Sequence, residues 1–226
     1  MIHILDKKKC CGCSACLQKC PKQCISMSHD NEGFLYPVVD KSKCIDCGLC
    51  DRACPIKNSK EIKKEQHAYI FQNSNDDVRK ESTSGGAFTA IAEYVIALGG
   101  IVYGAAFDDN YKVIHIGIDK REELYKFRNS KYVQSEICNC YSEIREILET
   151  GRIVCFSGTS CQVEGLKRYL LKDYENLILV DVVCRAVPSP LIWKKYLTLR
   201  QRKYKNISKI MFRDKYYGYK YSNLSI

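Results

Sequence analysis

The chain has 226 residues, 46% of them hydrophobic, and a formal charge of +10. That length holds one sizeable core plus a small cofactor-dependent domain. No apolar run is long enough to span a bilayer, since the longest, 91–97, is broken by Glu93 and Tyr94. Fifteen cysteines follow an N-terminus whose order of charge and apolar residues is wrong for a signal peptide. This argues against a secreted disulfide framework and for thiols used as ligands or redox groups in a reducing cytoplasm.

Eight of the cysteines fall into two copies of one run: Cys10-x2-Cys13-x2-Cys16-x3-Cys20-Pro21 and Cys44-x2-Cys47-x2-Cys50-x3-Cys54-Pro55. This is the run of bacterial ferredoxins that hold two [4Fe–4S] clusters, in which the fourth cysteine ligates the other cluster. Every matched pair is offset by 34 residues, so two similar halves close each other's sites. Cys10, Cys13, Cys16 and Cys54 are assigned to one cluster, and Cys44, Cys47, Cys50 and Cys20 to the second. Cys11 and Cys24 have no place in this scheme. Structural zinc also uses Cys-x2-Cys pairs, but has little use for three thiols at two-residue gaps followed by Cys-Pro, repeated. Counting the thiolates, two clusters carry about −2 apiece, which brings the loaded chain to about +6. Residues 33–39 read as a strand between the halves. Residues 1–58 form an α+β ferredoxin-like dicluster domain whose folding is tied to its metal.

A polar, lysine-rich linker is expected over 58–66. Beyond it, 67–226 reads as an α/β domain with a mixed sheet. Strands are expected at 67–72, 101–107, 112–118, 153–156, 177–183 and 207–213, and helices at 87–98, 141–149, 161–171 and 190–202. Turns at Ser84-Gly85-Gly86 and Gly158-Thr159-Ser160 each open a helix, where unpaired N–H groups suit a phosphate or a flavin's pyrophosphate. A helix cap without a ligand is the commoner use of such turns. Neither turn matches GxGxxG or a P-loop. From Lys194 to Lys220 there are ten Lys or Arg and one acid, Asp214, interleaved with tyrosines. A solvated face is the ordinary meaning of such a run. No nucleic-acid module signature accompanies it, so an acidic protein partner or an anionic cofactor tail fits better than nucleic acid.

The chain resembles the coenzyme F420 hydrogenase/dehydrogenase beta subunit family, in its version with an N-terminal dicluster ferredoxin domain. The marks are the two cluster runs, Ser84-Gly85-Gly86-Ala87-Phe88-Thr89, Lys131-Tyr132-Val133-Gln134-Ser135, Phe156-Ser157-Gly158-Thr159-Ser160-Cys161-Gln162, Cys184-Arg185-Ala186-Val187-Pro188-Ser189-Pro190 and Phe212-Arg213-Asp214-Lys215. The resemblance implies an iron–sulfur flavoprotein oxidoreductase. Electrons would pass from a ferredoxin-like donor, or a larger oxidoreductase complex, through two [4Fe–4S] clusters to FAD and a small-molecule acceptor, with deazaflavin F420 a candidate. By position, Ser84, Gly85, Gly86, Thr89, Lys131, Tyr132, Gln134, Ser135, Gly158, Thr159, Cys161 and Gln162 would line the flavin, with Lys131 near its ring or phosphate. No catalytic residue is assigned.

Cys161 opens a helix, a position expected to lower a thiol pKa, and Cys184 is expected to end a buried strand. Family members use cysteines at such positions, with a later cysteine pair, for a further cluster, so both are candidate additional ligands. The chain ends at Ile226 within an expected strand, which reads as a C-terminal truncation. Cys138, Cys140 and Cys155 are expected to be core or surface residues. Two segments depart from the family: Thr159-Ser160-Cys161 stands for Thr-Pro-Cys, and Cys184-Arg185-Ala186 for Cys-His-Gly. The alternatives are a non-enzymatic ferredoxin-type electron-transfer subunit of a larger complex, and an interaction module that docks through its basic tail.

Overall fold

The computed structural model describes residues 1–4, 6–58, 65–204, 207–221 and 223–226. Most of the linker expected at 58–66 lies outside the described residues. The N-terminal half-repeats show at backbone level. Helix α1 (Ala15–Gln18) and helix α2 (Leu49–Arg52) are single turns, entered from Ser14 at φ 61° and Gly48 at φ 71°. Two residues earlier, Gly12 (φ 63°) and Asp46 (φ 50°) are left-handed as well. These paired left-handed residues curl each Cys-x2-Cys-x2-Cys run into a loop. Strands β1 (Ile25–His29) and β2 (Leu35–Val39) pair antiparallel, with Ile25 opposite Val39. The sequence pointed to β2 alone. The short polar-apolar alternation of β1 is legible only beside its partner.

The second unit begins with helix α3 (Asp76–Glu81), capped by the Asn75 side chain. Helix α4 (Ala87–Ala97) follows, then strands β3 (Ile101–Phe107) and β4 (Val113–Ile118), helix α5 (Cys140–Glu149), strand β5 (Val154–Thr159), helix α6 (Ser160–Leu170) and strand β6 (Leu177–Val182). The sheet order is β4-β3-β5-β6. β3 and β4 are antiparallel, whereas β3–β5 and β5–β6 are parallel. This is a ferredoxin-type domain followed by an α/β domain with a mixed sheet. Helix α7 (Pro190–Lys203) and a ribbon of β7 (Met211–Asp214) and β8 (Asn223–Ser225) complete it. Trp193 and Leu197, one turn apart on α7, are buried with Val113 and Val133, and Trp193 Nε1 donates to the Tyr111 carbonyl at 2.7 Å.

Two cores flank the sheet. On one face α4 and the 3₁₀ segment Arg121–Phe127 enclose Ala92, Val95, Val102, Ala106, Leu124 and Cys155. On the other, α5 and α6 enclose Tyr141, Ile144, Phe156, Leu166 and Tyr169. Cys13, Ala15 and Ala53 of the cluster unit belong to this second core. Gly165 on α6 permits that approach, because a Cβ there would stand 3.1 Å from Cys13 Cβ and 2.9 Å from Tyr141 Oη. A lysine and a glutamine add polar ties: Lys19 Nζ donates to the Tyr169 carbonyl at 2.7 Å, and Gln18 Oε1 accepts from Ser142 N at 3.2 Å.

Several expectations are corrected. Residues 67–72 form no strand, and Tyr69 and Ile70 stand fully in solvent. Their β-favouring side chains have no neighbouring strand among the described residues, and such propensity takes effect only against a partner. Strand β5 does not stop at 156 but runs to Thr159, which also caps α6. Strand β6 is the most apolar in sequence yet only half-buried, because it is the sheet's edge among the described strands. Val183 and Cys184 beyond it are exposed, so Cys184 does not end a buried strand. The strand expected at 207–213 shortens to β7.

Candidate functional site

Two cavities lie within the N-terminal unit. The first is lined by Cys10, Cys13, Cys16 and Cys54, with Cys11 and apolar walls from Ile2, Ile4 and Met27. The second is lined by Cys20, Cys44, Cys47 and Cys50, with Cys24 and walls from Ile25, Val39 and Leu49. Each holds three thiols of one run and the fourth of the other, the grouping that exchange of the fourth cysteine requires. Four soft thiolate donors in an apolar wall suit an iron–sulfur cubane. Among the described residues no three His, Cys, Asp or Glu side chains converge to hold a single metal ion.

The thiols feel this crowding. Burial, and then the neighbouring Cys10 and Cys54, push the Cys16 thiol up to about 12. Burial raises Cys10 and Cys50 as well. A cationic iron core is the kind of group that offsets repulsion among such thiolates. Cys20 goes the other way. Burial opposes its thiolate, but N–H groups of Cys24, Lys22 and Gln23 and the Cys24 thiol outweigh it, and its pKa falls. Cys24, whose sulfur lies 3.3 Å from that of Cys20, is pushed up to about 11, first by this contact.

Cys11 sits at the boundary between the units, packed against the core that α5 and α6 enclose. A polar seam continues from there along the carboxyl ends of the parallel strands. Thr159 Oγ1 is 3.1 Å from Cys161 Sγ, and Thr159 and Gln162 form a capping box at the start of α6. Gln162 Nε2 donates to Ser135 Oγ at 2.8 Å, and Gln134 Nε2 to the Cys11 carbonyl at 3.4 Å. Gly12 makes room for Gln134, whose Nε2 would lie 2.6 Å from a Cβ on that residue. The expectation that the helix start lowers the Cys161 pKa is overturned. The Cys11 thiol and then burial push it up, and the first turn of the helix does not outweigh them.

A second group gathers around His115. Its Nε2 is 3.0 Å from the Ser157 carbonyl, and its ring stacks on Phe156 at 5.4 Å. A carbonyl can only accept, so Nε2 carries the proton and Nδ1 is an acceptor. Burial lowers the His115 pKa to about 4. Lys131 is the nearby cation. Its Nζ donates to the carbonyls of Arg128 and Asn129 at 3.2 and 3.4 Å, lies 5.7 Å from the Phe107 ring centre, and has its pKa lowered by burial to about 8.

Thr83 Oγ1, 3.4 Å from Ser130 Oγ, brings the Ser84-Gly85-Gly86 turn to the Lys131 loop. Asn73 holds that turn through the carbonyls of Gly85 (2.8 Å) and Gly86 (3.3 Å). Thr89 is buried on α4. Tyr132 turns away to pack edge-on against Phe212. Gly158 is packed against Phe156 and Gln162. Cys184 is exposed, and what burial it has raises its thiol pKa. Cys140 and Cys155 are core residues and Cys138 is exposed.

Four buried polar atoms along this seam have no hydrogen-bond partner among the described residues: His115 Nδ1, Gln134 Oε1, Asn129 Oδ1 and Ser82 Oγ. Such atoms are rare in folded chains and mark places where a polar ligand or water belongs. His115, Asn129 and Ser82 were not singled out from sequence, since nothing in their spacing distinguishes them. A wide groove lined by Phe71, Asn73, Tyr94 and Arg121 lies elsewhere, on α4, and includes none of the expected flavin residues.

Residues 9–58 match the family of 4Fe-4S dicluster domains. Residues 68–140 match the coenzyme F420 hydrogenase/dehydrogenase beta subunit N-terminal family, and 151–224 its C-terminal counterpart. Among curated proteins nothing matches. A chain of the F420-reducing [NiFe] hydrogenase complex from Methanosarcina barkeri is similar at 21% identity and a TM-score of 0.45, over 61% of this chain and 49% of that one. The protein thus spans about half the length of that solved chain. With the three matches in order along its length, the chain belongs to the coenzyme F420 hydrogenase/dehydrogenase beta subunit family and carries a 4Fe-4S dicluster domain at its N-terminus.

Proposed function

We propose that this protein is a cytoplasmic iron–sulfur flavoprotein oxidoreductase. It would take single electrons from a ferredoxin-like donor or a larger complex and deliver them through two [4Fe–4S] clusters to FAD. The observation that carries this reading is the docking of the first thiol-lined cavity onto α6 and the polar seam, through Cys13 against Gly165 and the Cys11 carbonyl against Gln134. FAD, when bound, exchanges a hydride with an acceptor on one side and single electrons with clusters on the other.

The chain's own residues fit that group. Ser84, Gly85, Gly86, Thr89, Lys131, Gln134, Ser135, Gly158, Thr159, Cys161 and Gln162 would line it, with Tyr132 at the rim. His115 Nδ1, Gln134 Oε1 and Asn129 Oδ1 supply buried acceptors for ring or ribose N–H and O–H groups. Lys131 supplies a cation inside a low-dielectric wall, where it acts strongly on a phosphate or on the ring's negative charge. The acceptor is a small molecule, with deazaflavin F420 the first to test. Cys10, Cys13, Cys16 and Cys54 would hold one cluster, and Cys20, Cys44, Cys47 and Cys50 the other. Cys161 and Cys184 are candidates for a further one.

A second reading, a ferredoxin-type electron-transfer subunit without flavin, is favoured by one observation: a wide groove lies on α4, away from these residues. The visible spectrum of anaerobically purified protein separates the two. Resolved flavin peaks and releasable FAD are expected. A broad cluster band alone supports the second reading, and colourless protein sinks both.

A further inference from the structure

Two side chains on the seam have a hydrogen-bonding polarity fixed by the backbone, and both leave a buried acceptor unpaired. His115 is 3% exposed, and its Nε2 donates to the Ser157 carbonyl at 3.0 Å, which leaves Nδ1 as a lone pair. Burial keeps the ring uncharged, so Nδ1 does not become a donor. Gln134 donates through Nε2 to the Cys11 carbonyl at 3.4 Å, which commits its Oε1 to the opposite side of the amide. Neither Nδ1 nor Oε1 has a partner among the described residues. Turning either donor end into the seam would strip a backbone carbonyl of its partner. The two residues are neighbours by construction. Glu136 N donates to the Val113 carbonyl at 3.0 Å and His115 N to the Glu136 carbonyl at 2.8 Å, so the segment that carries Gln134 runs alongside the strand that carries His115. Flat apolar faces stand beside them, Phe156 under His115 and Phe107 under Lys131.

Such a wall asks for a planar ligand edge with at least two donors. An oxidised flavin ring offers one, N3–H. Uptake of two electrons and two protons turns N1 and N5 from acceptors into N–H donors and keeps N3–H. Where the Lys131 cation balances a negative charge at N1 instead, one proton suffices and N5–H is the donor gained. We infer that His115 and Gln134 are redox-selective acceptors, which pair with N–H groups of the reduced flavin ring and hold it more tightly than the oxidised ring. The oxidised ring leaves one of the two acceptors unmet and sets a nitrogen lone pair against it. A difference of affinity between two states shifts the equilibrium between them. The preference therefore raises the flavin midpoint potential above that of free FAD. The inference rests on the flavin reading proposed above.

The test is an anaerobic spectroelectrochemical titration of the FAD-loaded protein at neutral pH, read at the flavin bands, with iron content measured on each sample. In wild type the flavin midpoint should lie above that of free FAD. His115→Phe, which keeps the stack on Phe156, and Gln134→Leu should each lower it by about 30 mV, a tenfold loss of preference for the reduced ring in a two-electron couple. The double variant should lower it further. Lys131 is present throughout, so its charge is common to every comparison. A midpoint unchanged in both single variants overturns the inference, because the two acceptors then face ribityl hydroxyls or water, whose donors are the same in both redox states. A wild-type midpoint at or below that of free FAD overturns it as well. Wild type that takes up no FAD fails the flavin reading itself, and the inference with it. Should His115→Phe not fold, Gln134→Leu decides, because that side chain is only half-buried and iron content reports whether the Cys11 loop has stayed in place.

Discussion

His115 shows how a single residue can escape a sequence reading and still matter to the fold's response to pH. It sits at 3% exposure, and burial draws its pKa down to about 4. In an unfolded chain the ring titrates near 6.5. Between those values the unfolded state holds more protons, so stability is full above about pH 6.5 and falls as pH falls toward 4. Between pH 7 and 5 the loss is about 2 kcal/mol. His115→Phe keeps the stack on Phe156 but cannot protonate. Its urea midpoint should therefore fall less than that of wild type between those two pH values, and equal falls would remove His115 as the cause.

Lys131 makes a matching prediction for the flavin reading. Lys131→Ala should lower retained FAD, and Lys131→Arg should restore part of it. FAD content unchanged in the alanine variant takes the residue out of the site. At this scale the eight paired cysteines were legible because ligand spacing is local. Cys11, His115 and Asn129 were not, because their partners lie far along the chain and only the fold delivers them.

Among the elements, α6 carries the most information per residue. Its capping box and its apolar face are both written in sequence, and the helix was expected within one residue at each end. Its Gly165 reads as a defect, since glycine in a helix interior costs about 1 kcal/mol relative to alanine. The structure gives the reason: Cys13 and the Tyr141 hydroxyl occupy the space a side chain would need. Gly165→Val should destabilise the docked core by about 1–3 kcal/mol through overpacking and lower cluster occupancy as the Cys13 loop is pushed off α6. A thermal midpoint and an iron content both equal to wild type would show that the two units do not rest on this contact. The segment 67–72 errs in the opposite direction. Tyr69, Ile70 and Phe71 have the composition of a strand, but strand formation is a property of pairs, and one sequence stretch does not reveal whether its neighbour is present.

For the molecule as a whole, the two units meet through a core, and the positive charge gathers on α7. That helix buries Trp193 and Leu197 and leaves Lys194, Lys195, Arg202 and Lys203 in solvent. The net charge of the loaded chain, about +6, is thus distributed unevenly, with the thiolate-rich unit at the other end of the sequence. A face of this kind speeds encounter with an acidic electron donor through long-range attraction, which salt screens over a Debye length of about 8 Å at physiological ionic strength. The reduction rate of the clusters by an acidic ferredoxin should therefore fall steeply as salt rises. Reversing two exposed charges, Lys194→Glu/Lys195→Glu, should slow it several-fold at low salt and flatten the salt dependence. These residues pack against nothing in the core, so the folded stability and cluster content of the variant should match wild type, and the rate isolates docking. If rate and salt slope are both unchanged, electrons enter elsewhere, and the basic helix is the ordinary solvated face that its composition alone would suggest.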